Sequence, residues 1–376
     1  MVPAHQPVVD QHDTWLTLNP VQGCPAACSY CSLQNLGLTS AQPHELATPA
    51  EAVQLLLTHR YYAQHLTLAL YTSTDALATP ETRSHLTGLL KALAAARIPN
   101  PVCLVTKFPL TDDVAAAIGR ARAQGLTVIV YVSYSGLGPD HEPGIDPGAL
   151  RQTFRRLHAE DIPAVHYLRP ALPANSDPAL LSQLLDDVAP FAQCTVVVGT
   201  KVKPAARDQI TRLWPALAEP NLSPETADSV WPRSTWTWLH HLPDRFAGHP
   251  VFHTNSCALA YVLRRADRAG VLDTPTCAGN QCPPRQRDRC RQSDSNGPAN
   301  TDSTIRAHLD RLGHPHIPFA YRHQTRTVVL ARPAPLRDRH NLAQVLGVTV
   351  RAADDPGESL WPGRLSGAQP LVIDPS

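Results

Sequence analysis

Three cysteines lie within eight residues near the N-terminus, in the sequence Gly23-Cys24-Pro25-Ala26-Ala27-Cys28-Ser29-Tyr30-Cys31. Cysteine thiolates are the usual protein ligands of iron–sulfur clusters. Three thiolates at this spacing can reach three corners of one cubane cluster, and the fourth iron then stays open for a small chelating ligand. Two alternatives stand beside this interpretation. A zinc site would need a fourth ligand, which His5 or His12 could supply, and the thiols could also be unrelated buried side chains.

Short apolar segments alternate with helical segments through the first 200 residues around this stretch. The predicted strands are Leu16–Asn19, Leu66–Tyr71, Val102–Thr106, Thr127–Ser133, Ala164–Leu168 and Thr195–Val198. The helices between them begin with a capping residue followed by proline, at Thr48-Pro49, Thr79-Pro80, Asp146-Pro147 and Asp177-Pro178.

Consecutive β/α units with right-handed crossovers form a parallel sheet. About six units are fewer than the eight of a closed TIM barrel. The sequence therefore predicts an α/β fold with an open, partial (β/α)6 TIM barrel, whose chemistry gathers at the C-terminal ends of the strands.

The β/α repeat stops after about residue 205, which divides the chain into three predicted parts. Residues 15–205 form the partial barrel. Residues 206–292 form a tryptophan-rich segment with a second set of cysteines. After the polar linker Ser293–Asn300, residues 301–376 form a small α/β extension, with a helix near Ile305–Leu312 and a strand near Thr327–Ala331.

The spacing C-x3-C-x2-C, with the aromatic Tyr30 just before the last cysteine, resembles the signature of radical S-adenosylmethionine (SAM) enzymes. The resemblance covers residues 15–200. It implies a 4Fe–4S cluster on Cys24, Cys28 and Cys31 whose open iron binds the amino and carboxylate groups of SAM. In this family, reductive cleavage of SAM yields a 5′-deoxyadenosyl radical that abstracts hydrogen from the substrate, while the protein places the cofactor and excludes water. A reductant such as flavodoxin or ferredoxin is then an expected partner.

The same resemblance implies SAM contacts at the strand ends. Where the family commonly has Gly-Gly-Glu after the second strand, this chain has Ser73-Thr74-Asp75, which offers two hydroxyls and a carboxylate to the SAM ammonium. A turn or cap is the alternative for Ser73. The implied cofactor-binding residues are Tyr30, Ser73, Thr74, Asp75, Lys107, Ser133, Ser135 and Arg169. No catalytic residue is assigned.

Two of these residues carry a positive charge at a strand end. Lys107 can meet the SAM carboxylate or a substrate phosphate, and an ion pair with Asp75 is the alternative. Arg169 is a candidate partner for a carboxylate. Nearby, Asn175 and Asp177 are predicted to be caps.

The Ser/Thr/Asp stretch, Thr106-Lys107-Phe108 and Arg169-Pro170 together resemble the spore photoproduct lyase-like branch of the family. That branch repairs a thymine dimer through hydrogen abstraction. Tyr71 stands where the lyase carries a hydrogen-donating cysteine. The resemblance therefore implies a shared scaffold and leaves the substrate open.

A second set of cysteines follows in the segment 257–290: Cys257, Cys277, Cys282 and Cys290. Four thiolates could hold a second 4Fe–4S cluster, and zinc or no metal are the alternatives. Cys103 and Cys194 lie in or beside strands and are predicted to be core residues. Arg285, Arg287, Arg289 and Arg291 flank Cys290; they would stabilise an anionic cluster or, alternatively, bind phosphate.

Six aromatic residues precede the second cysteine set: Trp214, Trp231, Trp236, Trp238, His240 and His241. Packing of a loop-rich segment over the barrel mouth is the predicted role, and stacking on a nucleobase is the alternative. His253 and Asn255 are predicted to orient or cap the helix that carries Cys257.

The net charge of +1 disfavours nucleic acid and anionic lipid as general partners. No signal peptide and no run of roughly 20 apolar residues stands in the sequence, so a cytoplasmic protein is expected. The leading hypothesis is a radical SAM enzyme, a lyase or oxidoreductase, that acts in modification or natural-product biosynthesis. The alternatives are a DNA repair lyase and a non-catalytic, zinc-stabilised binding protein.

Overall fold

The computed structural model describes residues 6–224, 229–267, 282–292, 300–353 and 370–374. Its strands are β1 Val9–Gln11, β2 Leu16–Leu18, β3 Val21–Gln22, β4 His44–Glu45, β5 Leu68–Leu70, β6 Val102–Thr106, β7 Val128–Val132, β8 Ala164–Ala171, β9 Cys194–Gly199, β10 Val230–Pro232, β11 Val251–Phe252, β12 Phe319–Arg322, β13 Thr327–Leu330, β14 Thr349–Ala352 and β15 Leu371–Ile373. Its α-helices are α1 Pro49–Thr58, α2 Pro80–Ala95, α3 Asp112–Ala123, α4 Pro147–Ala159, α5 Pro178–Val188, α6 Arg207–Leu213, α7 Arg233–His240, α8 Asn255–Val262, α9 Pro284–Gln292, α10 Asp302–Arg311 and α11 Leu336–Leu346.

The largest sheet has eight strands within these residues, in the order β1-β2-β5-β6-β7-β8-β9-β11. Only the β1–β2 pair is antiparallel among its neighbours. The predicted α/β class with a parallel sheet is therefore confirmed, and the six predicted strands correspond to β2, β5, β6, β7, β8 and β9. The edge strands β1 and β11 were not predicted, because two or three residues are too few to show a period.

Helices cover one face of this sheet. All five residues of β7, Val128 to Val132, are buried, as expected for a parallel strand that is covered on both faces. Helix α2 packs with Leu86, Leu89, Leu90 and Leu93 inward. The predicted helix starts are confirmed at Thr48, Thr79, Asp146 and Asp177, whose side chains accept hydrogen bonds from the first turns of α1, α2, α4 and α5.

The other face of the sheet is concave. Trp15, just before β2, contacts Tyr131 of β7 at a ring-centroid distance of 6.3 Å. Two strands separate β2 from β7, so in a flat sheet their axes would lie about 14 Å apart. The contact therefore requires the sheet to curl, and its two edge strands do not pair with each other.

Helix α8 lies against this concave face. Its residues Cys257, Ala258 and Leu259 are buried with side chains from β5 to β9 and β11. Just after the helix, the Arg265 guanidinium donates to Thr67 Oγ1 at 2.8 Å, immediately before β5. Helix α8 thus runs through the interior toward the N-terminal ends of the strands.

The C-terminal residues form a separate three-stranded sheet, β12-β13-β14, with α10 and α11. This extension packs on the β1 edge, where Asn341 Nδ2 donates to Gln11 Oε1 at 2.8 Å. The buried Asp338 also accepts hydrogen bonds from Tyr61 and Arg60, which follow α1. Within the described ranges, no helix combines the length and hydropathy needed to cross a bilayer.

Candidate functional site

The cysteine loop, residues 23–31, is anchored to the C-terminal end of β5. The Gly23 N–H donates to the Ser73 carbonyl oxygen at 3.1 Å, and Thr74 Oγ1 donates to the Gly23 carbonyl oxygen at 2.5 Å. Gly23 has a φ of +95°, and a Cβ at this position would lie 2.5 Å from the Gln42 carbonyl oxygen. Glycine is therefore required at the start of the loop. Ser73 and Thr74 are buried and support the loop directly.

The loop brings its three thiols together in a largely buried environment. Cys24 and Cys28 are buried, Cys31 is partly buried, and all three are free. Burial, reinforced by Asp75, raises the pKa of the Cys24 thiol to about 12. Burial also raises the pKa of the Cys28 thiol to about 11, and the charge of Lys107 opposes this rise. The charge of Cys31 also raises the pKa of both other thiols.

The arrangement of the thiols bears on the kind of metal group that fits. Across the part of the chain that the structure describes, no three His, Cys, Asp or Glu side chains are placed to hold one metal ion. A mononuclear zinc site gathers its cysteine sulfurs at about 2.3 Å from one ion. In a cubane cluster each cysteine binds a different iron, so the sulfurs stay apart. Three cysteine thiolates are the donor set that a 4Fe–4S cluster with one open iron requires.

A buried carboxylate outside every sequence motif, Glu142, connects four of the predicted cofactor-binding residues. Lys107 Nζ donates to Glu142 Oε1 at 2.6 Å and to Ser133 Oγ at 2.9 Å. Ser135 Oγ donates to the same carboxylate oxygen at 2.8 Å, and so does the Tyr30 hydroxyl. Burial, followed by the charge of Glu142, raises the pKa of Tyr30, so the phenol keeps its proton. We call this set of five side chains the Glu142 network.

Two further contacts hold the cysteine loop from outside the sheet. The Ser29 N–H donates to the His141 carbonyl oxygen at 3.0 Å, next to Glu142 in the loop after β7. Gln209 Nε2, from α6, donates to the carbonyl oxygens of Ser29 at 2.7 Å and Cys31 at 3.2 Å. Neither His141 nor Gln209 belongs to a recognisable motif, so only the folded chain identifies them.

Asp75 is buried and has three hydrogen-bond donors within the protein. Its carboxylate accepts from Thr106 Oγ1 at 2.8 Å, from the Lys107 N–H at 2.7 Å and from the Leu77 N–H at 3.0 Å. Burial raises the pKa of Asp75, and these hydrogen bonds oppose the rise. The carboxylate therefore joins the ends of β5 and β6, and its contact with SAM stays a prediction. The Lys107 ammonium pairs with Glu142 instead of the alternative partner Asp75.

Arg169 lies at the C-terminal part of β8 with an exposed side chain. Its Nη1 donates to the Tyr167 hydroxyl oxygen at 2.7 Å, and Asn255 Nδ2 donates to the same oxygen at 3.1 Å. The Lys107 ammonium lies 3.5 Å from the Arg169 carbonyl oxygen. Tyr167, which the sequence does not single out, thus connects the predicted SAM site to the first turn of α8. The role of Arg169 toward a carboxylate stays a prediction.

Three members of the second set of cysteines, Cys257, Cys282 and Cys290, lie in or beside α8 and α9. The Cys257 thiol is 3.7 Å from Asp267 Oδ2, and the Cys290 sulfur accepts from the Asp267 N–H at 3.3 Å. The fold thus brings Cys257 and Cys290 to one buried aspartate. Cys282 is partly buried and packs against the same apolar cluster as Cys257. Cys277 lies outside the described residues, so the four-cysteine site stays a prediction.

The tryptophan-rich segment packs against α5 and against itself. Trp238 Nε1 donates to Ser182 Oγ of α5 at 3.1 Å. The Trp236 ring lies 5.3 Å from the Trp231 ring and 4.5 Å from the His240 ring. In the helix that carries Cys257, the cap is Thr254, which accepts from the Cys257 N–H, and Asn255 follows it.

Tyr71 lies on the helix-covered side of the sheet. Its hydroxyl is 2.6 Å from His85 Nδ1 of α2, and the side chain is fully buried in the outer apolar core. The Tyr71 hydroxyl therefore contacts α2 rather than the cysteine loop.

No protein-family model matches the sequence, and no curated protein matches it. Solved structures match part of the fold. Streptococcus suis SuiB bound to SAM matches at 10% identity and TM-score 0.40, over 50% of this chain and 41% of that one. A spore photoproduct lyase variant with dinucleoside spore photoproduct matches at 14% identity and TM-score 0.41, over 55% of this chain and 62% of that one. A radical SAM methyltransferase from Sphaerobacter thermophilus matches at 16% identity and TM-score 0.39, over 53% of this chain and 62% of that one. This chain therefore covers less than two thirds of each of these three proteins.

Proposed function

We propose that this chain is a radical SAM enzyme in which Cys24, Cys28 and Cys31 hold a 4Fe–4S cluster. The observation that carries the proposal is that one loop, anchored to the C-terminal end of β5, carries three free thiols. Three thiolates leave one corner of a cubane for an exogenous chelating ligand. When bound, the cluster and SAM supply a reductive route to a 5′-deoxyadenosyl radical that abstracts hydrogen from the substrate.

The positively charged side chains around the loop have different roles in this proposal. The Lys107 ammonium already has Glu142 and Ser133 as partners. In this proposal it therefore holds the strand ends and Tyr30 in place and does not bind the SAM carboxylate. Among the described residues, Arg169 uses one guanidinium N–H for Tyr167 and keeps its other donors available. Arg169 is therefore our choice for the SAM carboxylate, because a guanidinium suits a bidentate carboxylate contact.

The reaction class that we favour is hydrogen abstraction in modification or natural-product biosynthesis. The DNA repair lyase is less well supported, because Tyr71 is buried against His85 at the position of the lyase's hydrogen donor. The zinc-stabilised binding protein is less well supported for the first cysteine set, because a structural zinc site needs a fourth ligand besides the three thiols. Whether the second set holds iron or zinc is part of the test.

The test begins with anaerobic purification and reconstitution of the full chain. Iron, sulfide and zinc are assayed together with release of 5′-deoxyadenosine from SAM under dithionite. The test variant replaces Cys24, Cys28 and Cys31 with alanine. The matched control is Cys103→Ala, which removes a thiol that is buried in β6, away from the cysteine loop.

Nucleoside release by the wild type and by Cys103→Ala, with loss in the triple variant, is the expected result. About four irons lost in the triple variant would assign the first cluster, because a 4Fe–4S group contains four. Iron that remains in the triple variant would indicate a second cluster at the C-terminal cysteines. Zinc that remains in it would instead indicate a zinc site there. Zinc alone, with no cleavage of SAM, would overturn the proposal.

A further inference from the structure

The C-terminal extension has a free strand edge within the described ranges. Its sheet has the order β12-β13-β14, so β12 pairs with β13 on one side, and no described strand pairs with its other side. The residues of β12 alternate between partly buried and exposed. An edge strand of this kind presents main-chain groups to which a further strand can pair.

The pairing register shows which main-chain groups of β12 point away from β13. The Ala331 N–H donates to the Pro318 carbonyl oxygen at 2.9 Å, so Pro318 faces β13. Hydrogen-bonded and non-hydrogen-bonded positions alternate along an antiparallel pair, so Ala320 faces β13 as well. The N–H and C=O groups of Phe319 and Tyr321 therefore point to the free edge, where no main-chain group of the described residues bonds to them.

The two faces of β12 differ in chemistry. Phe319 and Tyr321 are partly buried and pack against the main apolar core. On the other face, Ala320 and Arg322 are exposed, and the exposed Arg351 of β14 lies in the same cross-strand row as Ala320. A strand added at this edge would therefore place alternate side chains beside two aromatic rings and beside an arginine.

The extension that carries this edge is strongly basic. Residues 300–353 contain eight arginines and no lysine, against three aspartates and no glutamate. No acidic residue stands between Asp310 and Asp338, the interval that contains β12 and β13. Arg322 in β12 and Arg332 just after β13 form no ion pair with another described residue. A partner that carries carboxylates therefore matches this edge in charge.

The main-chain groups at the edge favour a polypeptide over a nucleic acid. Phe319 and Tyr321 each present one donor and one acceptor there. Phosphate oxygens only accept hydrogen bonds, so they would leave both carbonyl oxygens unpaired. A second extended backbone offers donors and acceptors with the spacing of a strand.

We propose that β12 is the docking edge for an extended segment of a partner protein whose side chains alternate between apolar and acidic. The segment pairs with the main-chain groups of Phe319 and Tyr321. Its apolar side chains lie beside these two rings, and its carboxylates lie near Arg322. This interaction goes beyond the proposed function and does not depend on a metal group, so either one can fail without the other.

Fluorescence anisotropy of a labelled synthetic peptide measures the interaction with the full chain. The probe is a peptide of about eight residues that alternates valine and glutamate, a length within the usual range of a strand. The comparison peptide alternates valine and lysine. The test variant Arg322→Glu reverses the charge at the edge, and the matched control Arg120→Glu makes the same change at an exposed position of α3.

We expect the wild type and Arg120→Glu to bind the glutamate peptide equally. Arg322→Glu should bind it about tenfold more weakly at low salt, a difference that high salt reduces. The lysine peptide should bind the wild type at least about tenfold more weakly than the glutamate peptide.

A second pair of variants isolates one main-chain hydrogen bond. Tyr321→Pro removes the ring and the N–H that points to the free edge, whereas Tyr321→Ala removes the ring and keeps that N–H. Tyr321→Pro should bind the glutamate peptide about fivefold more weakly than Tyr321→Ala, because one hydrogen bond is lost. Equal affinities of these two variants would contradict strand pairing.

Amide hydrogen exchange of the wild type, resolved by residue, tests the register without a substitution and replaces Tyr321→Pro if that variant does not fold. The glutamate peptide should slow exchange at Phe319 and Tyr321. Exchange at Ala320 and Arg322 should stay unchanged, because their N–H groups already bond to β13.

Three results would overturn the proposal. Slow exchange at Phe319 and Tyr321 before peptide is added would show that the edge is already paired in the full chain. Equal affinity of Arg322→Glu and Arg120→Glu for the glutamate peptide would remove the charge argument. Binding of a single-stranded DNA probe without binding of the peptide would assign the basic surface to nucleic acid.

Discussion

Replacing Glu142 with glutamine isolates the contribution of one buried charge to the candidate site. The carboxylate is 4% exposed and pairs with the Lys107 ammonium, 16% exposed, at 2.6 Å. Removing one partner of a buried ion pair costs about 3–5 kcal/mol. The glutamine oxygen can still accept from Ser135 and Tyr30, and neutral hydrogen bonds contribute about 1 kcal/mol each. We therefore expect Glu142→Gln to lower the free energy of unfolding by about 2–3 kcal/mol.

Urea unfolding of the metal-free chain measures this cost. Glu160→Gln is the matched control, because it removes a carboxylate that pairs with Arg156 at 2.8 Å on the surface and should cost less than about 1 kcal/mol. Lys107→Met and the double variant complete a cycle, in which the double variant should lose less than the two single losses combined. Additive losses, or equal losses for Glu142→Gln and Glu160→Gln, would refute a buried pair at this site.

Three further changes have predicted outcomes. Gly23→Ala should lower iron content after reconstitution by severalfold, because its Cβ would lie 2.5 Å from the Gln42 carbonyl oxygen; normal iron content would contradict this. His166 is buried with a pKa lowered by desolvation to about 4, against 6.5 when unfolded. As the pH falls from about 6.5 toward 4, His166 binds a proton in the unfolded chain but stays neutral in the folded chain. The free energy of unfolding should then fall by up to about 3 kcal/mol. In His166→Gln this pH-dependent fall should be absent, which urea unfolding at neutral and at acid pH measures. Asp338→Ala should cost about 3 kcal/mol, because three donors lose a buried carboxylate; an unchanged urea midpoint would contradict it.

The sequence predicts those parts of the fold that short-range patterns determine. Buried parallel strands are continuous apolar runs, which is why β6 matches its predicted bounds, Val102–Thr106, without change. Cap-and-proline pairs mark helix starts for a local reason, so Thr48 and Asp177 act as predicted. Strand β11, Val251–Phe252, escapes prediction because its pairing with β9 depends on tertiary packing rather than on its own two residues.

Some residues of the candidate site can likewise be recognised from local sequence, and others only from the folded chain. The three cysteines stand out in the sequence because their spacing places them in one loop, and their role as cluster ligands stays a prediction. Glu142 does not stand out, because it lies in an irregular loop and becomes important only when β6 and β7 bring Lys107 and Ser135 to it. The packing of helix α8 on the concave face of the sheet is likewise a long-range feature, which the pattern around Cys257 does not reveal.

Electron paramagnetic resonance of the reconstituted, dithionite-reduced chain, recorded with and without SAM, addresses the open iron itself. We predict a 4Fe–4S signal that changes when SAM is added, because SAM binds the corner that Cys24, Cys28 and Cys31 leave free. The change should persist in the Cys257→Ala, Cys290→Ala variant and vanish when the three loop cysteines are replaced. A signal that SAM leaves unchanged, or a chain that assembles no iron–sulfur cluster, would contradict the proposal.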